Sequence, residues 1–113
     1  MATDIRAELK NCGVSAQKTR LVVDMVRGKS AIDALATLKF ANKLAAVHVG
    51  KLIQSAVANA EENFGVSRDD LFVYKITADE APTRKWRRFG ARGRFKPLLK
   101  RSSHITVVLR EKE

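Results

Sequence analysis

The chain has 113 residues, of which 45% are hydrophobic and 30% charged, so it is apolar enough to fold and about the size of one domain. No apolar run approaches the roughly 18 residues of a membrane-spanning helix, and the N-terminus lacks the apolar core of an export signal. The only cysteine, Cys12, excludes an internal disulfide and a cysteine-based zinc site within this chain, so a reducing cytoplasm is the expected compartment.

The net charge of +10 is concentrated in one segment. Nine of the 22 Lys and Arg residues lie within residues 84–101, a segment without Asp or Glu, which we call the basic arm. The rest of the chain carries 13 cations against all 12 carboxylates and is almost neutral. A nearly neutral body with one strongly cationic segment indicates a polyanionic partner, because solubility alone does not require such concentration.

The N-terminal segment predicts a strand followed by a helix. Apolar and polar residues alternate through residues 4–10, with the period of two that is typical of a half-buried strand. Ser15 is a favourable N-cap for the following helix, and Gly28 is a typical residue at a helix end.

Two further helices are predicted before the chain changes its period. Ser30, with Asp33 three residues later, is typical of a capping box at the start of a short helix. Asn42 is the expected start of the longest helix, of about 20 residues, in which apolar residues recur at steps of three and four. That stripe consists of Ala45, Val49, Leu52, Ile53, Ala56, Val57, Ala60 and Phe64.

Two predicted strands bracket the basic arm. In residues 71–78, Phe72, Tyr74, Ile76 and Ala78 alternate with Leu71, Val73, Lys75 and Thr77, and the stretch is rich in β-branched and aromatic residues. In residues 104–110, Ile105, Val107 and Leu109 alternate with His104, Thr106, Val108 and Arg110. Because Gly90 and Gly93 lie near the midpoint of the polar connection, the simplest arrangement is one hairpin whose outer half projects beyond the core. At about 3.3 Å per residue, it would reach roughly 30 Å outward from Ala81.

The predicted fold class is therefore α+β, with three helices packed on one face of a small three-stranded antiparallel sheet and a long protruding basic β-hairpin. We expect one domain, in which residues 1–80 and 103–113 form the globular body and residues 81–102 form the hairpin.

The basic arm has a composition that favours RNA. It interleaves its cations with three of the seven aromatic residues, Trp86, Phe89 and Phe95. Arginine forms bidentate hydrogen bonds with phosphates, aromatic rings stack on unpaired bases, and glycine lets the backbone approach closely. A solvated, flexible loop is the alternative interpretation. The arm residues expected to bind RNA are Arg84, Lys85, Arg87, Arg88, Arg92, Arg94, Lys96, Lys100 and Arg101.

The first helix offers a second candidate RNA contact. Its N-terminus, capped by Ser15, favours phosphate. A solvated helix face explains the same cations equally well. The cations outside its apolar face are Lys18, Arg20, Arg27 and Lys29.

The sequence gives little support for other chemistry. Residues 90–93 fit the glycine-x-x-glycine loop of KH domains, but charged residues and a strand flank them, and no nucleotide-binding glycine-rich loop is present. His48 and His104 are far apart and have no evident nucleophile or metal partner, and Cys12 lies in no catalytic motif. We expect no catalytic residues, no metal site and no cofactor.

Four stretches carry a resemblance to a known family. They are residues 19–29 (TRLVVDMVRGK), 55–63 (SAVANAEEN), 91–94 (ARGR) and 100–107 (KRSSHITV). Together they resemble the bacterial-type ribosomal large-subunit protein twenty-two family, and the resemblance covers nearly the whole chain in order.

The resemblance implies a structural constituent of the large ribosomal subunit, located in the cytoplasm. Such a protein binds large-subunit ribosomal RNA, supports its assembly, contacts neighbouring ribosomal proteins and extends its hairpin along the exit tunnel of the nascent polypeptide. We expect it to be a monomer when free, with no membrane partner. The tunnel-facing tip implied by the resemblance comprises Arg88, Phe89, Gly90, Ala91, Arg92, Gly93 and Arg94.

The sequence departs from the family pattern at a few positions in the hairpin. Ala81 stands where glycine is common, and Phe89 and Gly90 stand where proline followed by a basic residue is common. Pro97 lies in the returning strand, and because proline cannot donate to a ladder, we expect regular pairing to fail around it.

Two rival functions fit the same charge. A free architectural DNA-binding protein could wrap a duplex with its basic arm, although such proteins generally use apolar wedges and broad apolar dimer faces. Sedimentation with large ribonucleoprotein particles rather than as free dimers or with chromatin would distinguish the two. A protein of anionic membranes is a weaker rival, which liposome flotation would test.

Overall fold

The computed structural model describes residues 4–82, 84–89 and 95–112, and for residues 84–100 only the backbone of the two strands is described. The elements in chain order are β1 (Asp4–Cys12), α1 (Ala16–Val26), α2 (Ala31–Phe40), α3 (Leu44–Phe64), a 3-10 turn (Arg68–Asp70), β2 (Leu71–Glu80), β3 (Arg84–Phe89), β4 (Phe95–Lys100) and β5 (Ser103–Glu111).

The main sheet has three strands in the order β1-β5-β2, and both pairings are antiparallel. The central strand β5 alternates fully buried Ile105, Val107 and Leu109 with partly exposed residues. Helices α1 and α3 contact the sheet, and α2 packs against α3, so the helices cover its buried face. The predicted α+β class, with three helices and a three-stranded antiparallel sheet, is confirmed.

The core forms where the apolar stripe of α3 meets α1 and the sheet. Val49 and Ile53 of α3 are completely buried, as are Val22 of α1 and Ile76 of β2. Burying one such side chain contributes about 1.5–3 kcal/mol. The apolar residues that recur at steps of three and four in α3 are therefore the ones through which this helix packs against the sheet.

Local capping fixes two of the helix starts as predicted. The Ser15 hydroxyl accepts a hydrogen bond from the Lys18 amide at 3.5 Å, and the Ser30 hydroxyl accepts one from the Asp33 amide at 3.2 Å. Gly28 has a φ of 81°, a conformation that glycine adopts without strain.

The start predicted for the third helix is wrong by two residues. The helix begins at Leu44, and Lys43 is its N-cap, without a side-chain capping hydrogen bond. The chain has to turn after α2, where the Ala41 amide still donates to the Leu38 carbonyl, so Asn42 remains in the connection between the helices.

Strands β3 and β4 form a separate antiparallel ribbon. It runs in six pairs from Arg84 with Lys100 to Phe89 with Phe95. The hydrogen bond from the Ala81 amide to the Ser102 carbonyl, 3.0 Å long, links the β2–β5 pairing to the base of this ribbon. The predicted hairpin is thus present as two successive antiparallel pairings, β2 with β5 in the main sheet and β3 with β4 in the ribbon.

The expectation that pairing fails around Pro97 is wrong. Pro97 pairs with Arg87, and the register is continuous on both sides of it. In a two-stranded antiparallel ribbon only alternate residues donate to the partner strand, so a proline fits wherever the N–H would point outward.

Arg110 links the central strand of the sheet to both edge strands, by an ion pair on one side and a cation–π contact on the other. Arg110 of β5 donates to the two carboxylate oxygens of Asp4 in β1, at 2.7 and 3.1 Å, and its guanidinium lies 3.4 Å from the ring centroid of Tyr74 in β2. The hydrogen bond from Arg110 holds the pKa of Asp4 below its ordinary value, and the same bond raises the pKa of Arg110.

The lowered pKa of Asp4 predicts a pH-dependent contribution to stability. The pair stabilises the fold above the unfolded-state pKa, near 4, and this contribution disappears as the pH falls through the lower folded-state pKa. We expect Asp4→Asn to lower Tm modestly at neutral pH and to leave it almost unchanged at about pH 2. Thermal unfolding followed by circular dichroism at both pH values tests this, and an equal decrease at both would contradict it.

Candidate RNA interface

The ribbon places most cations of the basic arm on two paired strands. Arg84, Lys85, Arg87 and Arg88 belong to β3, and Lys96 and Lys100 belong to β4. Arg92 and Arg94, with the rest of segment 90–94 of the expected tip, lie outside the described residues. Arg101 follows β4 and is exposed.

The register of the ribbon sets cations opposite cations. Arg84 pairs with Lys100 and Arg88 pairs with Lys96, so two of the six pairs join cationic positions. Like charges at opposing positions destabilise a strand pair. A polyanion lying along the ribbon would remove this repulsion.

The elongated shape agrees with a ribbon that stands away from the body. The chain measures 64 × 25 × 18 Å along its principal axes, and its radius of gyration is 17.1 Å, against about 13 Å for a compact chain of similar length. Among the described elements, β4 is the one that β3 contacts extensively.

The four cations expected around α1 divide into two kinds. Arg20 donates from Nε to the Ala78 carbonyl at 3.1 Å, and Arg27 donates from Nη2 to the Ile76 carbonyl at 3.0 Å. Because β2 is an edge strand, these two guanidinium groups satisfy carbonyls that no neighbouring strand reaches. Arg27 also forms an ion pair with Asp24, at 2.6 Å. Both arginines therefore have a structural role, which the sequence pattern did not indicate.

The two lysines of this group are exposed. Lys29 donates to the Thr37 hydroxyl at 3.1 Å, which ties it to α2. The Lys18 side chain makes no hydrogen bond or ion pair within the described part of the chain. Lys18 is therefore the cation of α1 that is best placed to meet a phosphate.

A cavity of about 750 Å³ opens beside Lys18, at the base of the ribbon. We call it the root cavity. Its lining residues are Gly13, Val14, Ser15, Lys18, Leu21, Lys43, Leu44, Ala45 and Arg101. Lys43 was absent from the predicted site residues, because only the folded chain brings the start of α3 next to α1.

Residues with catalytic or metal-binding potential do not converge in the described ranges. His104 accepts a hydrogen bond from the Asn11 amide at 3.0 Å, Cys12 is buried, and His48 lies partly exposed in α3. No group of three or more His, Cys, Asp or Glu that could hold a metal occurs among residues 4–82 and 101–112. Across those same residues, no helix combines the length and apolar character that crossing a membrane requires.

Comparison with known proteins identifies the family. Residues 7–110 match the family described as Ribosomal protein L22p/L17e. The chain belongs to this family. It is 48% identical over 111 residues to the large ribosomal subunit protein uL22 of Pediococcus pentosaceus, covering 98% of this chain and 94% of that protein. It is 51% identical over 106 residues to the uL22 of Dehalococcoides mccartyi, covering 94% of this chain and 97% of that protein.

Family membership bears on two of the expectations from sequence. The resemblance to large-subunit protein twenty-two is confirmed over nearly the whole chain. The family is structural rather than enzymatic, so the expectation that the protein is not an enzyme is confirmed as well.

The contacts of α1 predict different effects for two of its cations. We expect Arg20→Ala to lower the free energy of unfolding by about 1 kcal/mol, because the Ala78 carbonyl loses its charged donor. Lys18→Ala, the matched control on the same helix, should change it by less than about 0.5 kcal/mol. Urea unfolding of both variants measures the difference, and equal effects would show that the edge contact does not stabilise the fold.

Proposed function

We propose that this protein is a constituent of the large ribosomal subunit that binds ribosomal RNA mainly through its basic arm. Membership of the ribosomal L22p/L17e family supports the first part. The observation that supports the second is the charge segregation: nine cations and no carboxylate within residues 84–101, most of them on a ribbon outside the main sheet. We further propose a cytoplasmic location within that subunit, and a single domain that is monomeric when free.

In this proposal the body and the arm have different tasks. Residues 1–80 and 103–113 form the folded body, and residues 81–102 form the hairpin that enters RNA. The contacts of β2 with β5 hold both ends of that hairpin, so the arm starts from a fixed base. The proposed RNA-binding residues are the nine cations of the arm, together with Lys18, Lys29, Arg20 and Arg27 of the body, whose arginines retain unused guanidinium donors.

The arm should supply most of the salt-dependent part of RNA binding. Each phosphate contact releases a counterion, so the slope of log affinity against log salt counts the contacts. Replacing Arg87, Arg88, Arg92 and Arg94 together by Gln should reduce this slope by roughly 3 to 4 and leave the fold of the body intact. Fluorescence anisotropy with a labelled ribosomal RNA fragment, at a series of salt concentrations, measures the slope.

The control for this experiment removes the same charge from the body. Lys39, Lys51, Lys75 and Lys112 are all exposed, and replacing all four by Gln gives an equal loss of net charge away from the arm. This variant should keep a slope close to that of the native protein. If both variants lose the same slope, binding depends on net charge alone and the arm has no special role. Loss of the folded circular dichroism spectrum in the arm variant would contradict an arm that is independent of the core.

We also propose that the tip of the hairpin, residues 88–94, contacts the nascent polypeptide in the exit tunnel. A long, narrow, two-stranded ribbon suits penetration into packed RNA, since it presents little bulk and has its ends fixed on the body. Neighbouring ribosomal proteins would contact the body, which stays nearer the particle surface.

A cross-linking experiment tests the tunnel assignment. The protein carrying a photoactivatable amino acid in place of Arg88 should sediment with large ribosomal subunits and cross-link to nascent chains on translating ribosomes. The matched control carries the same amino acid in place of Lys75, an exposed residue of the sheet, and should cross-link to no nascent chain. Equal cross-linking from both positions would contradict the tunnel assignment, and failure to sediment with ribosomal particles would contradict the ribosomal one.

A further inference from the structure

The root cavity combines features that the RNA-binding arm alone does not explain. Four segments form it: the connection from β1 to α1, the first turns of α1, the start of α3, and Arg101 at the end of the basic arm. Its volume of about 750 Å³ lies within the range of roughly 300–1,000 Å³ that is typical of small-ligand sites.

Three of the residues that line the root cavity are cationic. Among the described residues that line it, Lys18, Lys43 and Arg101 carry positive charge and none carries a carboxylate. A cavity lined by charges of one sign favours a ligand of the opposite sign. The lining therefore indicates a ligand with at least one negative group.

Two exposed leucines also line the root cavity. They are Leu21 and Leu44, which are 56% and 69% exposed. A single exposed leucine is common on protein surfaces, but here two of them line one cavity together with three cations. An inorganic anion would leave the leucines in contact with water, whereas a nucleobase, which has a flat apolar face, would cover them.

We infer that the root cavity holds one unpaired nucleotide of the bound RNA. Its base lies against Leu21 and Leu44, and an adjoining phosphate lies among Lys18, Lys43 and Arg101. This inference rests on the proposed function, because the RNA reaches the cavity along the basic arm, of which Arg101 is the last residue. An apolar side chain of a neighbouring protein fits less well, since it would leave three cations without an anion.

The test compares two RNA hairpins that differ in one nucleotide. One is fully paired, and the other carries a single unpaired adenine analogue, 2-aminopurine, whose fluorescence reports its surroundings. We expect the native full-length protein to bind the bulged hairpin about five-fold more tightly, because covering roughly 40 Å² of the leucine surface with one base would give about that factor. Binding should also change the emission of the bulged 2-aminopurine.

Two matched pairs of variants locate the contact. Leu44→Ala should abolish the preference for the bulge and keep the affinity for the paired hairpin, whereas Val47→Ala, on an exposed residue of the same helix outside the cavity lining, should keep both. Lys43→Gln should weaken binding of the bulged hairpin, whereas Lys39→Gln, on an exposed lysine of α2, should not.

The possible failures are distinguishable. If the native protein binds both hairpins equally but with the arm-dependent salt slope, the inference is wrong and the proposed function stands. If it binds neither hairpin in a salt-dependent way, the proposed function and the inference fail together. A preference that persists in Leu44→Ala would place the unpaired base elsewhere. Because the 2-aminopurine signal is measured on the native protein, poor folding of a variant does not prevent a decision.

Discussion

The antiparallel pairing of β2 with β5 is the constraint on which the rest of this structure depends. Both strands bury one face beneath the helices, and a slip of one residue would turn Val107 and its buried neighbours of β5 toward solvent. The register is therefore strongly specified up to Glu80 and Ser103, the last pair of the body. Since the basic arm is the insertion between these two strands, the hydrophobic core of a small domain fixes the position and direction of a ribbon that has little core of its own.

The cations of the body show that positive charge has two uses in this fold. Strand β2 lies at an edge of the sheet, where unpaired carbonyls invite association with other chains. Arg20 on α1 and Arg27, which directly follows that helix, reach two of those carbonyls and so cover the edge. A guanidinium engaged in this way keeps donors for phosphate, but its position is tied to the edge of the sheet, whereas the Lys18 side chain is uncommitted. The cationic surface available to RNA is thus more concentrated in the arm and around the root cavity than the count of charges suggests.

Local signals in the sequence were sufficient to predict the existence of the three helices, the strands of the main sheet and the fold class, and the reason is physical. The caps at Ser15 and Ser30 act within three residues, and the alternation of β5 reflects burial on one side, so both can be recognised without knowing the fold. Features that depend on distant neighbours could not be predicted in the same way. The tolerance of Pro97 depends on which N–H groups the partner strand uses, and the place of Lys43 depends on how α3 approaches α1.

In the proposed function, the basic arm and the root cavity would meet two separate requirements of RNA recognition. Contacts with phosphates supply affinity and orientation but carry no information about which part of an RNA is bound. A ribbon of cations could therefore enter many RNA grooves with similar affinity. A cavity that accepted an unpaired nucleotide would supply what the ribbon lacks, because it would recognise a bulge and is lined by Arg101, the last residue of the basic arm. Binding of one base in the root cavity would set how deeply the ribbon enters the RNA. The length of β3 and β4 would then determine how far the tip of the hairpin reaches.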